Sequence, residues 1–483
     1  MPRSTTTFVC QACGARSRQF FGRCSSCGAW NALVEQAGGP EPPPDRRRRR
    51  PAPADGPEPT ARRSEPIAAV GDRPLRRLGS GYGELDRVLG GGLVPGSLVL
   101  LGGDPGIGKS TLLLQSARAM ADRLPVLYVS AEESAQQVKL RWRRLGEVGA
   151  TAQADSEADG AGRPGLRLLA ETDLELVLQE LESLRPAVAI IDSIQALHDA
   201  ELGSAPGSVA QVRECAAALA RIGKRQDTAL LLVGHVTKEG MLAGPKVLEH
   251  LVDAVLTFEG DRFASHRLLR AVKNRFGATH ELGVFEMRGQ GLAEVSNPSE
   301  LFLGAGEPSS GTATIVACEG TRPLVVELQA LVSTTSYASP RRSATGIAVN
   351  RLHQILAVLE KHLGLPLSRF DCYLAVAGGL EVEEPAADLG VAAAVVASYR
   401  DLVLPPGTVL IGELGLGGQL RPVGQLELRL QEVARLGFTR VVVPPGSGLA
   451  ATAAGLGLQL LEAAAVASAL VAALGVNPAA DGA

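Results

Sequence analysis

The sequence has no run approaching the roughly 20 uninterrupted apolar residues that a membrane span needs, and it opens on polar, cysteine-containing text instead of a charged segment followed by an apolar one. Both absences predict a cytoplasmic protein with no membrane partner. Net charge is scarce too: 48 Lys and Arg against 51 Asp and Glu leave −3 over 483 residues, so any nucleic-acid contact has to come from local basic clusters. Cysteines for a disulfide framework are missing. Of the seven present, four cluster before residue 28 and three are scattered (Cys215, Cys318, Cys372), which is metal-site usage in a reducing compartment. What remains is 45% hydrophobic, enough core for about three domains at this length.

The run Gly103-Asp104-Pro105-Gly106-Ile107-Gly108-Lys109-Ser110-Thr111 follows the apolar stretch Leu98 to Leu101 and fits G-x-x-x-x-G-K-[ST] in a strand-to-helix setting. Glycines leave the backbone bare where several N–H groups converge on phosphate oxygens. The helix predicted over Lys109 to Ala119 aims its positive dipole end at the same anion. Lys109 is then the cation on the β- and γ-phosphates of ATP, and Ser110 a ligand of Mg²⁺. Ala187-Val188-Ala189-Ile190-Ile191-Asp192 reads as a buried strand with a carboxylate at its C-terminal edge, so Asp192 is the second Mg²⁺ group, acting through water. Val126-Leu127-Tyr128-Val129-Ser130-Ala131-Glu132-Glu133 reads as another buried strand ending in paired acids. Glu132 is the choice for orienting and deprotonating the attacking water, with Glu133 as the alternative. A further strand, Ala229 to Val233, ends at Gly234-His235, whose imidazole either senses the γ-phosphate or is structural.

Cys10-x-x-Cys13 and Cys24-x-x-Cys27 form two knuckles ten residues apart, each followed by a glycine (Gly14, Gly28) that lets the backbone turn toward the thiolates. Four soft ligands close a tetrahedral Zn²⁺ shell with no open position, the mark of a structural metal in a zinc-ribbon or rubredoxin-like module over residues 1–36. Phe20, Phe21 and Trp30 are expected to supply its small core. Residues 37–66 are Pro-rich and carry Arg46 to Arg50; they suit an extended linker whose arginines either brush phosphate backbones or stay solvated.

Residues 67–297 alternate buried strand-like and helical runs, as an α/β doubly wound core does, with a polar surface insertion at 151–164. After residue 298 the text changes to apolar alternation around Thr314-Ile315-Val316 and Pro323 to Leu328, then Ala-rich helices and a strand at Arg440 to Val443. That predicts a separate α+β domain over 298–475 and a frayed tail at 476–483.

With Glu132 following a Tyr-Val-Ser strand, the P-loop core resembles the RecA/DnaB superfamily. Three phrases narrow the likeness: Gly83-Glu84-Leu85-Asp86-Arg87-Val88-Leu89-Gly90-Gly91-Gly92, Gly234-His235-Val236-Thr237-Lys238-Glu239-Gly240 and Lys273-Asn274-Arg275-Phe276-Gly277. Set between a Cys₄ motif and a second domain, they resemble the RadA (Sms) family of bacterial DNA repair proteins over the whole chain except the linker, the insertion and the tail. The resemblance implies a hexameric, ring-forming ATP-driven DNA motor that migrates branch points in recombination intermediates. It further implies stimulation by single-stranded DNA, branched DNA as substrate and a RecA-type recombinase as partner. By the same resemblance Lys273 and Arg275 complete the γ-phosphate charge of the adjacent subunit, and loops at Asp199 to Ser208 and Lys238 to Lys246 face DNA.

The last domain resembles the proteolytic domain of Lon proteases. Glu384-Pro385-Ala386-Ala387-Asp388 stands where the nucleophile phrase is expected, and Gly424-Gln425-Leu426-Glu427-Leu428-Arg429 where the base phrase is expected. Alanine has no nucleophilic atom and a guanidinium stays protonated, so the domain is expected to be proteolytically dead. Its remaining uses would be ring assembly and DNA contact, with Arg421 and Arg429 either on phosphates or structural. The competing functions are an ATP-dependent protease, a KaiC-type signalling ATPase and a RecA-like strand-exchange recombinase. Ala386 and Arg429 oppose the first, the zinc module and single ATPase domain oppose the second, and the core leaves the third open.

Overall fold

Strands that are apolar at every position must be covered on both faces, and the first half of the chain holds several of them. The computed structural model describes residues 7–10, 16–17, 19–25, 30, 33–36, 76–145, 165–235, 245–260, 265–304, 309–337 and 339–475. Two compact units emerge, Met1–Glu294 and Val295–Ala483. The first contains β1 (Thr7–Cys10), β2 (Arg16–Ser17), β3 (Leu33–Gln36), α1 (Gly83–Leu89), β4 (Leu98–Gly103), α2 (Lys109–Ala121), β5 (Val126–Ser130), α3 (Ala135–Arg144) and β6 (Leu166–Ala170). It continues with α4 (Leu174–Leu184), β7 (Val188–Asp192), α5 (Val209–Gln226), β8 (Ala229–Val233), α6 (Pro245–Leu251), β9 (Ala254–Glu259), β10 (His266–Asn274), β11 (Leu282–Arg288) and β12 (Gly291–Glu294).

β4, β5, β7 and β8 are buried at every residue. They form the centre of a nine-stranded sheet of order β12-β11-β10-β9-β4-β8-β7-β5-β6, parallel from β9 to β6 and extended by antiparallel β10, β11 and β12. Alternation along β4 fixes the layers. Val99 and Leu101 join the core beneath α1, α2 and α3, while Leu98 and Leu100 join the core beneath α4, α5 and α6. With helices on both faces, the carboxyl ends of β4, β5, β7 and β8 open together along one edge, where a doubly wound sheet binds its ligand.

The N-terminal module is an antiparallel sheet of order β2-β1-β3. Its interior differs from the sequence expectation. Phe20, Phe21 and Trp30 are 57%, 48% and 73% exposed, and the core is Cys24 and Leu33 with Phe8 against them. A sheet of three short strands has no volume for three further rings once those residues fill it.

The second unit is built on a seven-stranded mixed sheet. Strands Thr312–Glu319 and Arg322–Thr334 pair antiparallel at its centre, and the strand Arg440–Val443 lies toward one edge, parallel to Thr408–Leu410. The helix Asp388–Arg400 is buried from Asp388 through Ala397, which accounts for its Ala- and Val-rich sequence. It lies so close to the sheet that a Cβ on Gly390 would stand 2.0 Å from Ile315 Cγ2. The linker with Arg46 to Arg50, the insertion at 151–164, residues 238–244 of the second loop expected to face DNA, and the tail lie outside the described residues.

Candidate functional site

Between β4 and α2 the backbone adopts conformations open only to glycine. Gly103 has φ 145° and a Cβ there would stand 2.4 Å from the Phe258 carbonyl oxygen; Gly108 has φ 116° and its Cβ would meet Met287 Cε at 2.7 Å. α2 begins without a side-chain cap and without an acid in its first turn, which leaves its leading N–H groups and its dipole for an anion. Lys109 is buried, and its Nζ donates to the carbonyls of Gly103 at 2.7 Å and Asp104 at 2.9 Å. Burial pulls its pKa down, against the opposing charges of Asp192, Glu132 and Asp104. Neutral carbonyls are weaker partners for an ammonium than phosphate oxygens, so the lysine has a reason to turn outward when an anion enters. From the other side, Arg267 Nε on β10 donates to the Ile107 carbonyl at 3.3 Å and steadies the loop.

Asp192 ends β7 and is buried. Its Oδ2 accepts the hydroxyl of fully buried Tyr128 at 2.6 Å, a contact the sequence reading missed. Tyr128 on β5 is in register with Ile190, two residues short of Asp192. Two residues of strand span roughly 6.6 Å, about the reach of a tyrosine side chain. The signal was present: a lone tyrosine in an aliphatic buried strand needs a partner for its hydroxyl. Burial, then the charge of Asp192, pushes the phenol pKa well above its ordinary value and keeps it a donor. Among the described residues, Oδ1 has no protein partner.

The paired acids separate. Glu133 is tied to Arg141 on α3, whereas Glu132 accepts from Ser193 Oγ and lies 3.0 Å from His235 Nε2. The hydrogen bond with His235 is the largest influence drawing the Glu132 pKa down, so the group is a carboxylate at neutral pH. His235 therefore meets the acid at the sheet edge, while its Nδ1 is buried with no partner among the described residues. Lys109, Ser110, Glu132, Asp192 and His235 belong to one edge, and the charge of Asp192 is close enough to oppose the lowering of the Lys109 pKa by burial.

Lys273 and Arg275 are elsewhere. Lys273 Nζ donates to the carbonyls of Glu249 and, at 2.9 Å, Val252, closing the C-terminus of α6. Arg275 Nη1 reaches buried Asp253 Oδ1 at 2.9 Å, and the Arg275 N–H donates to the Asp253 carbonyl, whose own N–H donates to Leu98. By register Lys273 is level with Leu100, three residues or roughly 10 Å of strand from Gly103, with its ammonium turned back to the Val252 carbonyl, and Arg275 sits beside Asp253 at the start of β4, five residues or roughly 17 Å from that loop. Between them, Asn274 Nδ2 donates to the Val88 carbonyl at 3.1 Å and Arg77 to the Phe276 carbonyl at 2.6 Å, clamping this loop onto α1. The loop from Asp199 to Ser208 is likewise organised: buried Gln211 accepts from the Asp199 N–H and donates to the carbonyls of Asp199 and Ser204.

For the metal module, the backbone brings both knuckles to one residue. Leu33 pairs with Cys10 across β1 and β3, and its side chain packs against buried Cys24. Cys13 and Cys27 lie outside the described residues. Bringing the Cys10 backbone and Cys24 to the same residue is consistent with a rubredoxin-type module in which Cys10, Cys13, Cys24 and Cys27 would hold Zn²⁺.

In the second unit Arg429 takes the structural one of its two expected roles. Only 2% exposed, it makes a bidentate pair with Glu384 at 2.7 and 2.6 Å and donates to the carbonyls of Val316 at 2.5 Å and Gly424 at 3.1 Å. Every nitrogen is engaged, so none remains for DNA. Arg421 is exposed and pairs with Glu413. Ala386 is buried two residues after Glu384.

Comparison with known proteins follows the same division. The AAA domain family matches residues 72–241, and the rubredoxin metal-binding domain family matches residues 8–35. Among solved structures, the ATPase domain of G40P aligns with 47% of this chain and 94% of its own at 16% identity and a TM-score of 0.39. The DNA repair protein RadA of Synechocystis sp. is 57% identical, with 99% of this chain and 96% of that protein covered. RadA of Bacillus subtilis is 46% identical over 98% of this chain and its own full length. A RecA-like P-loop ATPase core preceded by a zinc ribbon, in a sequence shared nearly end to end with these relatives, leads to one conclusion: the chain belongs to the RadA family of DNA repair proteins.

Proposed function

We propose that the chain is an ATP-driven motor that works as a ring on single-stranded and branched DNA and moves branch points in recombination intermediates. The observation that carries it is the split of the site: P-loop, Asp192 and Glu132 share one sheet edge, while Lys273 and Arg275 are bonded away from it, at the Val252 carbonyl and at Asp253, three to five residues or roughly 10–17 Å of strand from Gly103. In this reading the cation that completes the γ-phosphate charge comes from another copy. Comparing hydrolysis with and without single-stranded DNA tests the reading; equal rates at saturating DNA would refute it.

Ser110 and Asp192 would hold Mg²⁺, which would supply positive charge against the phosphate charge that develops. The chain's own groups do the rest. The α2 N–H groups and Lys109 cradle the phosphates. Glu132, kept ionised by His235 and Ser193, takes the proton of the attacking water. Tyr128 holds Oδ2 of Asp192 so that Oδ1 keeps one direction. Tyr128→Phe removes only that hydroxyl and is expected to weaken Mn²⁺ binding to the nucleotide-loaded chain about 10-fold, with metal-free nucleotide affinity unchanged. Titration followed by electron paramagnetic resonance reads this directly.

Lys273→Ala is expected to bind ATP normally and to lose most hydrolysis. Mixed with Lys109→Ala chains, it should recover part of the activity, because some interfaces regain an intact P-loop facing an intact cation. Proven mixed rings with no recovery would place Lys273 in its own subunit's function.

The Lon-like domain has no peptidase chemistry in this reading. The base position is locked to Glu384, and Ala386 offers no nucleophile. Arg429→Ala is expected to destabilise the second unit by about 3–5 kcal/mol, because it leaves the Glu384 carboxylate without its cation, with the Cys318 N–H as its remaining donor, and the Val316 and Gly424 carbonyls without theirs; denaturant unfolding measures it.

A further inference from the structure

The three rings that fail to form the zinc-module core are themselves an unexplained surface. Phe20, Phe21 and Trp30 are three of the four large aromatic side chains that stand exposed among the described residues; Tyr337 is the other. Trp30 bridges Arg23 across the chain, its ring lies 4.0 Å from where a Gly22 Cβ would be, and the Arg23 guanidinium stands 5.8 Å from the ring centroid. Phe20 is braced edge-on by Phe8 at 5.7 Å.

The sequence of the module is rich in one sign of side-chain charge: residues 1–36 carry four arginines, Arg23 among them, against Glu35 alone, a side-chain balance of +3 before the −2 of a Zn²⁺ centre with four thiolates. Among the module's described residues the exposed large apolar side chains are Phe20, Phe21, Trp30 and Val34, three of the four aromatic. Exposed rings with an arginine beside them match the π-faces and phosphates of unpaired nucleotides.

We propose that the zinc module is a stacking platform for single-stranded DNA, with bases on Phe20, Phe21 and Trp30 and Arg23 serving stacked base and phosphate. The site gives the motor a hold on DNA outside its ATPase core and rests on the DNA reading above. Because every base has a π-face, binding at this surface is independent of sequence.

The test uses the full-length protein with zinc bound. The chain has two tryptophans, and Trp142 stacks on Arg118 within the ATPase core, so W142F leaves Trp30 as the sole reporter. Oligo-dT and mixed-sequence oligonucleotides are both expected to quench it. W30A and F21A are expected to lower oligo-dT affinity about 10-fold each, W30F to restore most of it, and zinc content and DNA-free hydrolysis to stay at parental levels. An unquenched Trp30 with parental affinity in W30A would overturn the proposal and assign the surface to a protein partner. Should W30A lose zinc, the quench in the folded W142F chain decides alone. A parent chain that binds no oligo-dT would sink the DNA reading and this site together, whereas parental binding unaffected by these variants sinks only the site.

Discussion

Lys109→Ala yields a folded chain that hydrolyses no measurable ATP, with or without DNA. The amine is the one buried side-chain cation in the P-loop, and its only hydrogen-bond partners are the Gly103 and Asp104 carbonyls of the same loop. Removing it deletes a positive charge aimed at the site where phosphate charge develops, a loss of at least about 10²–10³ in rate. The fold barely notices. Asp104, Pro105 and Gly106 are exposed, so water can satisfy the Asp104 carbonyl, and the hydrophobic layers on either side of β4 do not include Lys109. Phosphate release and a thermal melt, run in parallel, check both halves.

Glu132→Gln retains nucleotide binding and loses turnover by about 10²–10⁴. The amide oxygen can still accept from Ser193, and the group keeps its size, yet it cannot take a proton from water. Glu133→Gln should differ sharply. Its carboxylate pairs with Arg141 on α3 at a partly exposed position, worth at most about 1 kcal/mol, and hydrolysis should survive. Single-turnover measurements on both variants discriminate. An inactive Glu133→Gln beside a competent Glu132→Gln would assign the chemistry to the other acid.

The P-loop, the strands that lead to it and the Cys₄ pattern were legible because each depends on residues close in sequence: glycines at a turn, an apolar run, paired thiols at fixed spacing. Contacts set by sheet order were not. Tyr128 meets Asp192 because β5 lies beside β7, an adjacency that no local pattern encodes. Arg429 could be aligned with a lost catalytic base, but its pairing with Glu384, 45 residues away, and its burial depend on the packed second unit. The aromatic rings of the zinc module misled for a different reason. Composition suggested a core, and the volume of a three-stranded sheet decided otherwise. Lys273 and Arg275 were found by motif, yet only the strand register of β10 against β9 and β4, with their bonds at Val252 and Asp253, turns them away from their own P-loop.

The central claim, that ATP hydrolysis here drives movement of DNA strands, is tested most directly by strand displacement on a three-stranded branched substrate with the purified chain. The account predicts displacement that requires hydrolysable ATP and is absent from the Lys109→Ala chain. Hydrolysis stimulated by single-stranded DNA with no ATP-dependent displacement from any branched substrate would contradict it.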